Sequence, residues 1–173
     1  MDPEPWSVLR SWQILRNGGQ ETLTAAPAQR HSIARLLDLE ALEFLFAEIE
    51  FEPWRDGARI WGRVRGETTR RCGVTLEPLT ESVDTELELR FVVEDSTRAA
   101  TSETELVVDL EADDPPEVAS LVGVDVGRYV VEALSLALDP FPRAPGAVFE
   151  FSDPVRETSP FDVIAFGKKT REI

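Results

Sequence analysis

One cysteine and one histidine occur among 173 residues, and these two scarcities remove much covalent and metal chemistry. Cys72 has no intramolecular disulfide partner, and with His31 alone there is no Cys/His cluster to hold zinc. A reducing compartment is expected. Basic residues are also few, since 18 Lys+Arg against 33 Asp+Glu leave a formal net charge of −15. That charge opposes diffuse attraction to phosphate and anionic lipid, although screening over about 8 Å lets a local basic patch act on its own. No stretch approaches the roughly 18 apolar residues of a membrane span. The start, Met1-Asp2-Pro3-Glu4-Pro5, is acidic and has no apolar signal core. A soluble, cytoplasmic protein without membrane contact is expected. Also missing are G-x-S-x-G, a P-loop, H-E-x-x-H, and a G-x-G-x-x-G followed by the required acid. No small-molecule substrate or cofactor is implied, and the chain reads as a protein without enzymatic chemistry.

What is present supports a folded chain. Hydrophobic residues make up 42% and charged residues 29%, near globular values, and the length suffices for a core without disulfides or metals. Ser11–Arg16 and Glu21–Thr24 read as short strands around the turn signal Asn17-Gly18-Gly19, a candidate hairpin. Pro27 opens an amphipathic helix over about 27–38, with Ile33, Leu36 and Leu37 at helical spacing. Leu45, Ala47, Ile49 and Phe51 then alternate with Phe46, Glu48, Glu50 and Glu52, the period of a half-buried strand. After Asp56-Gly57, a hairpin signal, Ile60 and Val64 alternate with Arg59, Trp61, Arg63 and Arg65. With Asp56-Gly57 as a two-residue turn, Glu52 faces Trp61, Glu50 faces Arg63, Glu48 faces Arg65, and Ile49 meets Val64.

A third strand follows Glu77-Pro78, carrying Val83, Leu87, Leu89, Phe91 and Val93 on one face and Asp84, Glu86, Glu88 and Arg90 on the other. Residues 94–103 read as a loop, and Leu106, Val108 and Leu110 suggest another strand. The acidic stretch 103–117 ends in Asp113-Asp114-Pro115-Pro116, which cannot continue a sheet interior. Asp125 is the expected N-cap of an apolar helix containing Tyr129, Val130, Ala133, Leu134, Ala137 and Leu138, stopping before Pro140. Beyond it, Pro142, Pro145, Pro154 and Pro160 impose an extended tail. Phe161–Phe166 forms a short helix candidate there, followed by basic Lys168, Lys169 and Arg171.

Few residues carry chemistry. His31 has no Ser or Cys partner arguable from spacing and reads as structural or solvent-facing. Cys72 beside Arg70 and Arg71 has two readings, an activated thiol or a small hydrophobe in a half-buried strand, and the second is the commoner case. Arg55, Arg59, Arg63, Arg65, Arg70 and Arg71 fall close together with Trp54 and Trp61, residue types that stack on bases or anchor protein partners. The competing reading is that Arg63 and Arg65 answer Glu50 and Glu48 across the hairpin, neutralising part of the patch. The acidic stretch 103–117 reads either as a solvated connection or as a surface steering a basic partner such as a ribosomal protein.

Two segments, Arg71-Cys72-Gly73-Val74-Thr75-Leu76-Glu77-Pro78-Leu79 and Val131–Gly146 with its Leu138-Asp139-Pro140-Phe141-Pro142-Arg143-Ala144-Pro145-Gly146 end, resemble the YceD family of large ribosomal RNA subunit accumulation proteins. The early Trp12 strand, the helix ending in Leu36-Leu37-Asp38-Leu39, the Gly62 hairpin and Ser159-Pro160-Phe161 follow in the order of an alphaproteobacterial-type member. The resemblance transfers Cys72, Thr75, Glu77 and Pro78 as motif residues in the first segment. In the second it transfers Glu132, Leu138, Asp139, Pro140, Pro142, Arg143, Pro145 and Gly146. Some members carry Cys-x-x-Cys where this chain has Thr69-x-x-Cys72, so a metal or redox role of that pair does not transfer. What the resemblance implies is a ribosome-biogenesis role in producing or retaining large-subunit (23S) rRNA.

The expected architecture is α+β: one domain over 1–173, with a compact core at about 8–140, an extended tail at about 141–173, and a mainly antiparallel sheet covered on one face by helices. The expected partner is a large-subunit ribosomal protein or pre-ribosomal particle, with rRNA itself as a further candidate. Trp61, Arg63, Arg65 and Arg143 are the candidate contact residues. Arg143 sits between prolines that display its guanidinium with little ordering cost. A direct RNA binder using these residues and an RNA-processing enzyme are the alternatives.

Overall fold

The computed structural model describes residues 6–94 and 115–149. The strand expected at Leu106–Leu110, most of the acidic stretch, and the helix expected at Phe161–Phe166 lie outside them. Elements run β1 Leu9–Ser11, α1 Trp12–Asn17, β2 Gly19–Thr24, α2 Pro27–Leu36, β3 Ala41–Trp54, β4 Gly57–Arg71, β5 Pro78–Val93, β6 Glu117–Ala119, β7 Gly123–Asp125 and α3 Val126–Ala137. The α+β expectation holds. A five-stranded sheet has the order β2-β3-β4-β5-β6, antiparallel except for the β5–β6 pair, and β1 pairs with β7. Among the described residues no helix is long and apolar enough to cross a membrane.

Alternation decides which face is buried. Leu45, Ala47, Ile49, Phe51, Ile60, Val64, Leu87 and Phe91 point inward, under α1 and α2 on β3 and α3 on β4 and β5. The α3 helix supplies Val130, Val131 and Leu134 to this core. Along its opposite face the sheet carries Glu48, Glu50, Arg59, Trp61, Arg63, Asp84, Glu86 and Glu88, exposed or half-buried.

Three local expectations are corrected. The segment from Trp12 to Arg16 is helical, because Trp12 and Leu15 three apart both reach the core while Ile14 stays exposed. It forms no hairpin with β2, which pairs with β3 instead. In the β3–β4 hairpin Trp54 pairs with Gly57, Glu50 with Trp61 and Glu48 with Arg63, two residues away from the expected register. The turn residues are Arg55, with φ at 53°, and Asp56. Gly57 is required inside the sheet: a Cβ there would lie 1.9 Å from the Phe91 carbonyl oxygen. A slip of two keeps every side chain on its face, whereas a slip of one would invert the strand.

Asp125 occupies the N-cap position of α3 but caps no helix amide. Its carboxylate instead accepts the Val8 N–H at 2.7 Å and the Ser7 hydroxyl at 2.6 Å. This ties the N-terminal segment across the start of the helix, so an expected local cap acts as a long-range clamp.

Candidate interaction surface

Arginines from β4 dominate the sequence-level patch, and the fold surrounds them with acid. Arg59 lies 3.6 Å from Glu52 and 3.0 Å from Glu88, with its guanidinium 5.2 Å from the Trp61 ring centre. Arg63 Nε donates to Asp84 at 2.5 Å, and this bond holds the Asp84 carboxyl below its usual range. Arg65 meets Glu48 at 2.9 Å and Asp84 at 3.5 Å. Sequence pairing expected Glu50 opposite Arg63; the observed partner comes from β5, because a central strand has neighbours on both sides.

The remaining arginines lie elsewhere. Arg55 stacks on Trp54 at 4.3 Å in the hairpin turn. Arg70 pairs with Glu81 and donates to the Asp139 carbonyl, and Arg71 donates to Glu40 at 2.5 Å. The six therefore form no single cationic surface. His31 is exposed on α2.

A second site brings the two recognised motif segments together at the β4–β5 turn. Cys72 is not a half-buried strand residue. It lies just beyond β4, with no solvent exposure, and its sulfur accepts backbone N–H groups from Val74 and Thr75 at 3.4 Å and from Ala144 at 3.3 Å. Gly73 N–H donates to the Pro142 carbonyl at 2.8 Å, and Leu76 N–H to the Cys72 carbonyl at 2.9 Å. The Thr75 hydroxyl accepts the Glu77 N–H at 3.4 Å, and Pro78 opens β5 opposite Arg71. In the second segment Asp139 accepts the Phe141 N–H at 2.8 Å. Pro145 and Gly146, with φ of 79°, occupy the centre of a turn closed from Ala147 to Ala144, the arrangement proline followed by glycine favours. Leu138 is half-buried and Glu132 and Pro140 are exposed. Arg143 is exposed and makes no ion pair among the described residues.

Burial alone would raise the Cys72 pKa. The Ala144 amide first, then the Thr75 hydroxyl and the Thr75 and Val74 amides, outweigh it and lower the thiol from 9.0 to about 6. An unfolded chain then binds more protons than the folded one between these values, so stability rises with pH across that window. The contribution is complete above pH 9 and lost as pH falls through about 6. Urea midpoints should increase from pH 6 to pH 9 more in the parent than in Cys72→Ala; equal increases would refute a charged sulfur. Spacing gave no signal for the Ala144 contact, because 72 residues separate donor and acceptor.

Elsewhere Tyr129 donates to Glu117 at 2.5 Å, and burial first, then this bond, push its hydroxyl pKa upward. Among the described residues no three His, Cys, Asp or Glu side chains are grouped to hold a metal ion.

An open, ion-paired sheet face and a buried junction of two distant segments define a small acidic α+β protein. The family model for the large ribosomal RNA subunit accumulation protein YceD matches residues 60–159. That span is more than half of the chain and includes both motif segments, and the protein belongs to this family. No curated protein and no solved structure matches the chain. The family's name links the protein to accumulation of large-subunit ribosomal RNA.

Proposed function

We propose that the protein is a non-catalytic, cytoplasmic ribosome-biogenesis factor. It promotes accumulation of 23S rRNA through contact with a large-subunit ribosomal protein or pre-ribosomal particle. The observation carrying this reading is the neutralisation of Arg59, Arg63 and Arg65 by Glu52, Glu88, Asp84 and Glu48. A phosphate approaching these arginines would have to displace carboxylates already in place and meet their negative potential.

Cells depleted of the protein should lose mature large subunits, read as a diminished peak in sucrose-gradient profiles. Tagged full-length protein should retain ribosomal proteins after nuclease treatment. Normal profiles would defeat the biogenesis role, and partners lost entirely to nuclease would favour RNA contact. Arg143 supports that second reading, since it is the candidate cation left exposed and unpaired among the described residues.

A further inference from the structure

Across the open face, Gln20, Glu50, Trp61 and Glu88 form one cross-strand row, and Thr22, Glu48, Arg63 and Glu86 form the next. Between the rows runs a furrow of about 790 Å³, lined by these side chains and by Ile49, Gly62 and Leu87. Alternate residues stand about 6.7 Å apart along a strand, so an alkyl stem lying over the furrow can touch both rows.

Charge along this furrow is unevenly satisfied. Arg63 is bonded to Asp84, outside the two rows. Arg59 is held by Glu52 and Glu88 and lies over Trp61. Glu50, directly across from Trp61, and Glu86, directly across from Arg63, make no ion pair among the described residues. A cation at either carboxylate would gain an ion pair without breaking an existing one, and a cation at Glu50 would lie across from the Trp61 indole. A phosphate would face Glu48, Glu50, Glu86 and Glu88, and the arginines that line the furrow, Arg59 and Arg63, already hold carboxylates.

We propose that this furrow docks a lysine or arginine side chain from an extended basic segment of a partner protein. The proposal rests on the protein-contact reading above and names the chemistry of the partner. In an extended peptide alternate side chains repeat at the same spacing as the rows of the sheet, so cations at alternate positions match the carboxylate rows on β3 and β5.

The test is titration of the full-length protein with a labelled peptide of alternating lysine and alanine at physiological salt. The matching glutamate–alanine peptide and single-stranded polyuridine serve as comparators. The lysine peptide should bind and the comparators should not. Glu50→Gln/Glu86→Gln should weaken binding roughly tenfold with an unchanged melting curve. Glu43→Gln/Glu94→Gln, which removes the same charge at exposed positions elsewhere, should weaken it far less. Equal weakening by the two double variants, no binding of the lysine peptide, or preferential binding of polyuridine would overturn the proposal. Loss of large subunits on depletion, combined with failure of the peptide, would sink the furrow alone; normal subunit profiles would sink the function itself.

Discussion

Replacing Phe91 by alanine is expected to lower the unfolding free energy by about 3–5 kcal/mol, the range for deleting a buried aromatic ring. Phe91 has no solvent exposure and packs edge-on against Tyr129 with ring centres 5.0 Å apart. Its backbone is also a crossing point, paired with Ala58 on β4 and with Glu117 on β6. A cavity there removes support from α3 and from the parallel edge together, so collapse of the neighbours around it is limited. Thermal and urea denaturation followed by circular dichroism measure the effect, and a loss below about 1 kcal/mol would be inconsistent with this packing.

Gly62→Ala is the second large effect, because the added methyl has no space. An ideal Cβ at Gly62 would stand 2.1 Å from the Glu48 carbonyl oxygen and 2.8 Å from the Ile49 Cα. Both obstacles are backbone, and rotamer change cannot relieve them. The β3–β4 pair must separate locally, costing about 3 kcal/mol, the upper part of the usual range for overpacking. Since Gly62 lies between the two rows bordering the furrow, the same substitution should weaken lysine-peptide binding in molecules that remain folded. Unchanged stability in urea would show that β3 can move aside without cost and would remove the argument that this glycine shapes the face.

Much of the fold was legible wherever the pattern was local. The alternation of Leu45, Ala47, Ile49 and Phe51 against Glu48, Glu50 and Glu52 identified both the strand and its buried side. The apolar spacing of Val130, Ala133 and Leu134 identified the helix that lies on it. Failures occurred where one residue answers two demands. Asp56-Gly57 reads as a turn, but the glycine is needed where the Phe91 backbone passes, so the hairpin closes around Arg55 and Asp56. Trp12 has the composition of a strand residue, yet a short helix places it and Leu15 in the same core, with its indole N–H donating to the Ser120 carbonyl at 2.9 Å.

The candidate contacts divide in the same way. That Arg63 and Arg65 would meet carboxylates was readable from composition and period. Which carboxylates remain unpaired was not, because that depends on β5 arriving on the far side of β4. Likewise both motif segments were recognisable separately, while their meeting at the Cys72 sulfur arises only when α3 returns the chain to the β4–β5 turn.

Taken alone, the amino-acid order determined secondary-structure period, the division into a buried and a charged face, and the acidic balance, since each is set by a residue and its near neighbours. Tertiary structure decided strand register, the donors gathered around the Cys72 sulfur and the location of Glu50 and Glu86, which make no ion pair among the described residues. Those depend on the spacing of backbones and charges brought together from distant parts of the chain, where a shift of a few ångströms exchanges one partner for another.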